Sequence, residues 1–162
     1  MGRVLCIDPG TKRTGLAVLD PSGIIPQGLP TLEHKDEDQL IRMLDSTISK
    51  WGPDLIVIGL PLSPDGSPTP RSEAVIRLGN RIRNRFKVLV EYQDECWSSN
   101  RACEILSEAS SRRLSSRQPA VKGRTKKAKL ASDRIAAVLI LEDWLASGRH
   151  APGKQPVPGQ ND

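Results

Sequence analysis

Arg3-Val4-Leu5-Cys6-Ile7-Asp8-Pro9-Gly10, followed at once by Thr14-Gly15-Leu16-Ala17-Val18-Leu19 and the turn Asp20-Pro21-Ser22-Gly23, sets the architecture of this chain. Two short apolar runs bounded by Pro/Gly turns read as buried strands. The first ends on an acid. Gly23 to Gly28 is expected to continue as a third strand, so the N-terminus reads as a meander of hairpins.

Downstream the pattern changes. Asp36 to Trp51 predicts a helix, with Leu40, Ile41, Leu44, Ile48 and Trp51 on one face and Asp36, Glu37 and Asp38 at its start, where the helix dipole favours anions. Gly52-Pro53 stops it. Asp54 to Leu60 is a near-continuous apolar strand, as expected where both faces are covered. Arg71 to Arg85 predicts a second helix, Lys87 to Tyr92 another strand, and Ser98 to Glu108 a short helix capped by Ser98 or Ser99. A last helix is expected from about Lys129 to Ala146, with Gly148 ending it. The order β-β-β-α-β-α-β-α-loop-α implies an α/β fold. It predicts a mixed five-stranded sheet, antiparallel hairpins first and parallel strands after, flanked by helices. Residues 1–148 are expected to form one domain, and the Pro/Gly-rich stretch 149–162 a disordered tail.

Composition narrows the function. The 162 residues are 37% hydrophobic and 27% charged, an ordinary globular balance. No run of about 18 apolar residues exists, and an acid arrives too early for a signal-peptide core, so a cytoplasmic protein without membrane contact is expected. Three cysteines without CxxC spacing and two histidines in unrelated contexts argue against zinc and for a reducing compartment. The net charge of +5 is concentrated in one place. Between Glu108 and Asp133 there is no acid. That stretch carries Arg112, Arg113, Arg117, Lys122, Arg124, Lys126, Lys127 and Lys129, and the remainder of the chain is acidic on balance. Lacking apolar periodicity, the segment reads as a flexible loop, and its charge predicts a polyanionic partner.

In open α/β sheets ligands bind beyond the carboxyl ends of strands. Acids stand there at Asp8 and at Asp94-Glu95, and Asp133 opens the last helix. Taken singly, each also reads as a turn or cap residue. Jointly, and without His or Cys, they suggest hard divalent cations such as Mg²⁺ or Mn²⁺. Two such ions about 3.5–4 Å apart activate water and stabilise the leaving oxygen of a phosphodiester. The basic segment would grip the phosphate backbone.

CIDPGTKRTGLAV, DLIVIGLPLSPDGS, YQDE and SDRIAAVLILEDWL, in this order from Arg3 to Ala146, resemble the YqgF/RuvX family of Holliday junction resolvases or pre-16S rRNA nucleases. The resemblance implies an RNase H-like fold and a Mg²⁺- or Mn²⁺-dependent two-metal endonuclease. It carries catalytic roles to Asp8, Glu95 and Asp133, and metal ligation to these together with Asp94. It places Lys12 and Arg13 near a phosphate, and makes Asp65 and Ser67 of the PDGS motif near-site loop residues on nucleic acid. Arg112, Arg113, Lys122, Arg124, Lys126 and Lys127 complete the expected nucleic-acid surface. Cys96 stands where the family usually has Arg, Ser98-Ser99 where it has a Thr pair, and Ser132 where it tends to have a small apolar residue. The implied reaction is maturation of the pre-16S rRNA 5′ end or resolution of branched DNA. A non-catalytic nucleic-acid-binding or ribosome-associated protein is a further reading. An ATP-binding domain of the actin/sugar-kinase type is disfavoured, because 162 residues do not easily make two large domains. The chain is expected to be a monomer or a homodimer.

Overall fold

The computed structural model describes residues 2–22, 25–94 and 126–148. Five strands, β1 (Val4–Pro9), β2 (Arg13–Leu19), β3 (Gln27–Glu33), β4 (Leu55–Leu60) and β5 (Leu89–Asp94), form one sheet in the order β3-β2-β1-β4-β5. The β3-β2-β1 half is antiparallel and the β1-β4-β5 half parallel. Helices α1 (Glu37–Trp51) and α2 (Pro70–Phe86) cover one face, and α3 (Lys126–Ala146) crosses the other. The expected mixed five-stranded α/β architecture is therefore present. Among the described residues, no helix is long and apolar enough to cross a membrane.

Pleating sorts the strands cleanly. Leu5, Ile7, Leu16, Val18, Ile56 and Ile58 point toward α1 and α2, where Leu40, Leu44, Val75, Leu78 and Ile82 meet them. Val4, Cys6, Ala17, Leu19 and Val57 point toward α3 and pack on Ala137, Ile140, Leu141 and Trp144. Both covering helices are fixed at their ends. The Asp36 carboxylate accepts from the Gln39 N–H and caps α1, which closes at Gly52 in the left-handed region (φ 52°). Thr69 and Ser72 form a reciprocal capping box at α2, with Pro70 in the first turn.

Two boundaries differ from expectation. The third strand lies at Gln27–Glu33, not Gly23–Gly28. Pro30 falls within this strand, and β3 is an edge strand, where a missing N–H is tolerated. The register also shifts here: Leu16 faces Leu29 while Thr14 faces Leu32, so β3 places Pro30 and Thr31 against Gly15 alone. That bulge absorbs the proline. The last helix begins at Lys126, three residues before the expected start, so Lys126 and Lys127 belong to α3 rather than to a loop. Lys and Ala are strong helix formers, which favours the earlier start. The expected short helix at Ser98–Glu108 and the tail from 149 lie outside the described residues.

Candidate active site at the end of the central strand

Asp8 is the last side chain of β1 that points toward α3, and it is half-buried. Directly opposite it on β2 is Gly15. A Cβ added to Gly15 would stand 2.1 Å from the Asp133 carbonyl oxygen and 2.8 Å from its carbonyl carbon. Only a glycine lets the α3 backbone rest on β2 at this point. That close approach seats the Asp133 turn of α3 over the residue that faces Asp8 across the β1–β2 pair. Further contacts hold the first half of α3 against the edge strand. Thr31 Oγ1 donates to the Leu130 carbonyl at 2.9 Å and Arg134 Nε to the Leu29 carbonyl at 3.1 Å. Gly28 makes room for the Arg134 side chain.

Arg13, expected at a phosphate, is turned onto the protein. Its Nε donates to Asp133 Oδ2 at 2.8 Å, with the side chains 36% and 27% exposed. The guanidinium thus orients Asp133 and balances part of the negative charge gathered at this end of the sheet. Lys12 is exposed on the β1–β2 turn, and its carbonyl accepts the His34 N–H at 3.0 Å. His34 and Thr14 were not singled out by the sequence. Their side chains meet in a buried hydrogen bond of 2.9 Å, Oγ1 to Nε2, that braces the same turn. Burial pushes the imidazole below its usual pKa, with nearby Asp36 pulling weakly the other way.

On the parallel side, Ile7 faces Ile58 and Gly59 faces Gln93, so Asp8, Gly59 and Gln93 stand level across the sheet. Asp94 faces Leu60, which packs on the α1/α2 core. Its strand position therefore belongs to the face opposite Asp8. Asp65 and Ser67 use their polar groups within their own turn: Asp65 Oδ1 accepts from the Ser67 N–H at 3.0 Å and the Ser67 hydroxyl at 2.7 Å. These bonds hold the Asp65 carboxyl below its ordinary pKa. Glu95, Cys96, Ser98, Ser99, Arg112, Arg113, Arg117, Lys122 and Arg124 lie outside the described residues. Lys126 and Lys127 open α3.

Among the described residues no three His, Cys, Asp or Glu side chains form a metal-ligating group. What they show is Asp8 near the end of β1 and Asp133 over its β2 neighbour Gly15. Oxygen-only donors of this kind suit Mg²⁺ or Mn²⁺ rather than zinc or copper.

A mixed sheet of order 3-2-1-4-5 with helices on both faces is the RNase H-like arrangement. The chain belongs to the RuvX family, described as Holliday junction resolvase, whose model matches residues 2–147. A Glaesserella parasuis protein named "Putative pre-16S rRNA nuclease" is 35% identical over 142 residues, covering 87% of this chain and 94% of that protein. One of the same name from Dechloromonas aromatica is 31% identical over 157 residues, covering 96% and 99%. The Thermus thermophilus RuvC structure in complex with a Holliday junction substrate aligns with a TM-score of 0.55 at 12% identity, covering 91% of this chain and 97% of that one. At that identity the likeness speaks for the fold.

Proposed function

We propose that this protein is a divalent-cation-dependent endonuclease that hydrolyses phosphodiester bonds in structured nucleic acid, with the 5′ end of pre-16S rRNA as its substrate. The observation that supports the reading is the backbone contact of Asp133 in α3 with Gly15, the β2 residue opposite Asp8. The names of the sequence relatives support the RNA substrate.

Asp8 and Asp133 hold the cation, with Glu95 as the third acid. The reading prefers Glu95 over Asp94 because the strand position of Asp94 belongs to the other face of the sheet. When bound, Mg²⁺ or Mn²⁺ supplies Lewis acidity toward water and toward the phosphoryl oxygens. Arg13 keeps Asp133 in place through its Nε–Oδ2 bond. Lys126 and Lys127, on the first turn of α3, precede Asp133 in sequence and with Arg112, Arg113, Lys122 and Arg124 supply the positive charge that grips the phosphate backbone. Residues 1–148 act as the catalytic domain of a cytoplasmic enzyme.

The test is a cleavage assay with Mg²⁺ or Mn²⁺ on a 16S precursor and on a four-way DNA junction, using the wild type and Asp8→Asn. The precursor is expected to be cut at its 5′ side, and Asp8→Asn to lower the rate on the order of 10²–10³-fold. Persistent cleavage by Asp8→Asn overturns the cation site. Cutting of the junction alone replaces the RNA reading with the resolvase reading that the family description carries. Binding without cutting of either substrate points to a non-catalytic role.

A further inference from the structure

Gln93 shares the face of Asp8 without belonging to any acid motif. Glu91, two residues earlier on β5, identifies that face, because its Oε2 accepts the Trp144 Nε1–H of α3 at 2.8 Å. Gln93 is only 9% exposed, and its Oε1 is buried with no hydrogen-bond partner. A buried carbonyl oxygen without a donor destabilises the fold, so its retention calls for a reason.

Its position supplies one. On the row that runs Asp8–Gly59–Gln93, the middle residue has no side chain, so β4 places none between the carboxylate and the amide. Two strand spacings separate the backbones of β1 and β5, about 10 Å in all. Asp8 and Gln93 therefore stand on either side of Gly59, with Asp133 over Gly15 on the far side of Asp8. The gap is too wide for both side chains to reach one ion directly. It suits an ion that keeps part of its water shell, as Mg²⁺ does.

We propose that Gln93 is a positioning residue of the cation site: its Oε1 accepts a hydrogen bond from a water molecule in the shell of the divalent ion held by Asp8 and Asp133. The orphaned oxygen is then satisfied only when the site is loaded. Outer-shell acceptors of this kind orient the ion's ligands and strengthen its binding. The inference rests on the cation-dependent reading above.

The experiment measures Mn²⁺ binding to the full chain by calorimetry, without nucleic acid, and the melting temperature of the metal-free protein. In Gln93→Leu the orphaned acceptor is gone, so the metal-free protein is expected to melt about 2–4 °C higher. Mn²⁺ affinity is expected to fall about tenfold. Gln93→Glu keeps an acceptor and adds charge, and is expected to bind Mn²⁺ more tightly than the wild type. Asp8→Asn serves as the control. If Asp8→Asn loses Mn²⁺ while Gln93→Leu binds it as well as the wild type, the role of Gln93 is overturned and the cation reading stands. If Asp8→Asn also binds normally, both fall. A lower melting temperature in Gln93→Leu with unchanged Mn²⁺ affinity makes Gln93 a packing residue and overturns the inference.

Discussion

On the α1/α2 face the central strands present Leu5, Ile7, Leu16, Ile56 and Ile58, each 1% exposed or less, and the helices seal them along their whole length. On the α3 face the same strands present Val4, Cys6, Ala17 and Val57 at one end, then Asp8, Gly15, Gly59 and Gln93 at the other. Where α1 and α2 cover it, the first face is apolar, so its contribution is burial. The second is apolar only under the C-terminal half of α3, around Ala137, Ile140, Leu141 and Trp144. Beyond Ala137 it gives up hydrophobic contact for acids, bare backbone and an unsatisfied amide. Pleating makes this possible: one strand carries core on one side and chemistry on the other, and a single helix is held close by glycine where the chemistry begins.

Substitution on each face should separate stability from activity. Leu44 of α1 is fully buried against the sheet. Leu44→Ala is expected to lower the unfolding free energy by about 2–5 kcal/mol in denaturant titrations. Below its melting temperature it should leave Mn²⁺ affinity and cleavage rate unchanged. A matching loss of cleavage would show that the two faces are not independent. Gly15→Ala acts on the other face. The new methyl meets the Asp133 carbonyl, a helix backbone atom that cannot swing aside, so α3 must shift as a whole. The expected destabilisation is smaller, about 1–3 kcal/mol. Cleavage should fall further than that loss explains, because Asp133 moves with the helix. Full activity in Gly15→Ala would break the link between the glycine and the site.

The legible parts of the molecule were those whose signal is local. β1, β2 and β4 are apolar runs closed by Pro or Gly, α1 carries a 3.6-residue period and ends at Gly52 as read, and α2 lies where the sequence put it. β3 was misplaced because its membership depends on a bulge opposite Gly15 and on an edge position, neither of which is written in Gln27–Glu33 itself. The start of α3 was set three residues late: Lys126-Lys127-Ala128 has helix propensity but no apolar residue at helical spacing to announce it. At the candidate site, strand-end position points to Asp8 and the start of the last helix to Asp133. The turning of Arg13 onto Asp133, the strand position of Asp94 on the opposite face and the level row that includes Gln93 were not. Each depends on register between strands distant in sequence, and a shift of one residue would reverse every side.

The smallest expected effect lies in the turn that carries Lys12 and Arg13. His34 holds this turn twice, through its backbone N–H to Lys12 and its ring to buried Thr14. Burial lowers the folded-state pKa below the usual 6.5, so the imidazole is neutral in the fold and takes up a proton more readily once unfolded. The unfolded chain then binds more protons on the acid side of 6.5, and by linkage unfolding stability rises with pH there. Stability is therefore full above pH 6.5 and declines as pH falls through that value toward the folded-state pKa. Nearby Asp36 reduces the decline without reversing it, because burial is the larger influence. Denaturation at a series of pH values between about 7.5 and 5.5 should show the slope in the wild type, and a flatter one in His34→Gln. The carboxylates of Asp38 and Asp65 titrate well below this window, since their bonds to Arg81 and Ser67 lower them further. An identical slope in His34→Gln would show that the acid sensitivity does not arise in the turn beneath Arg13.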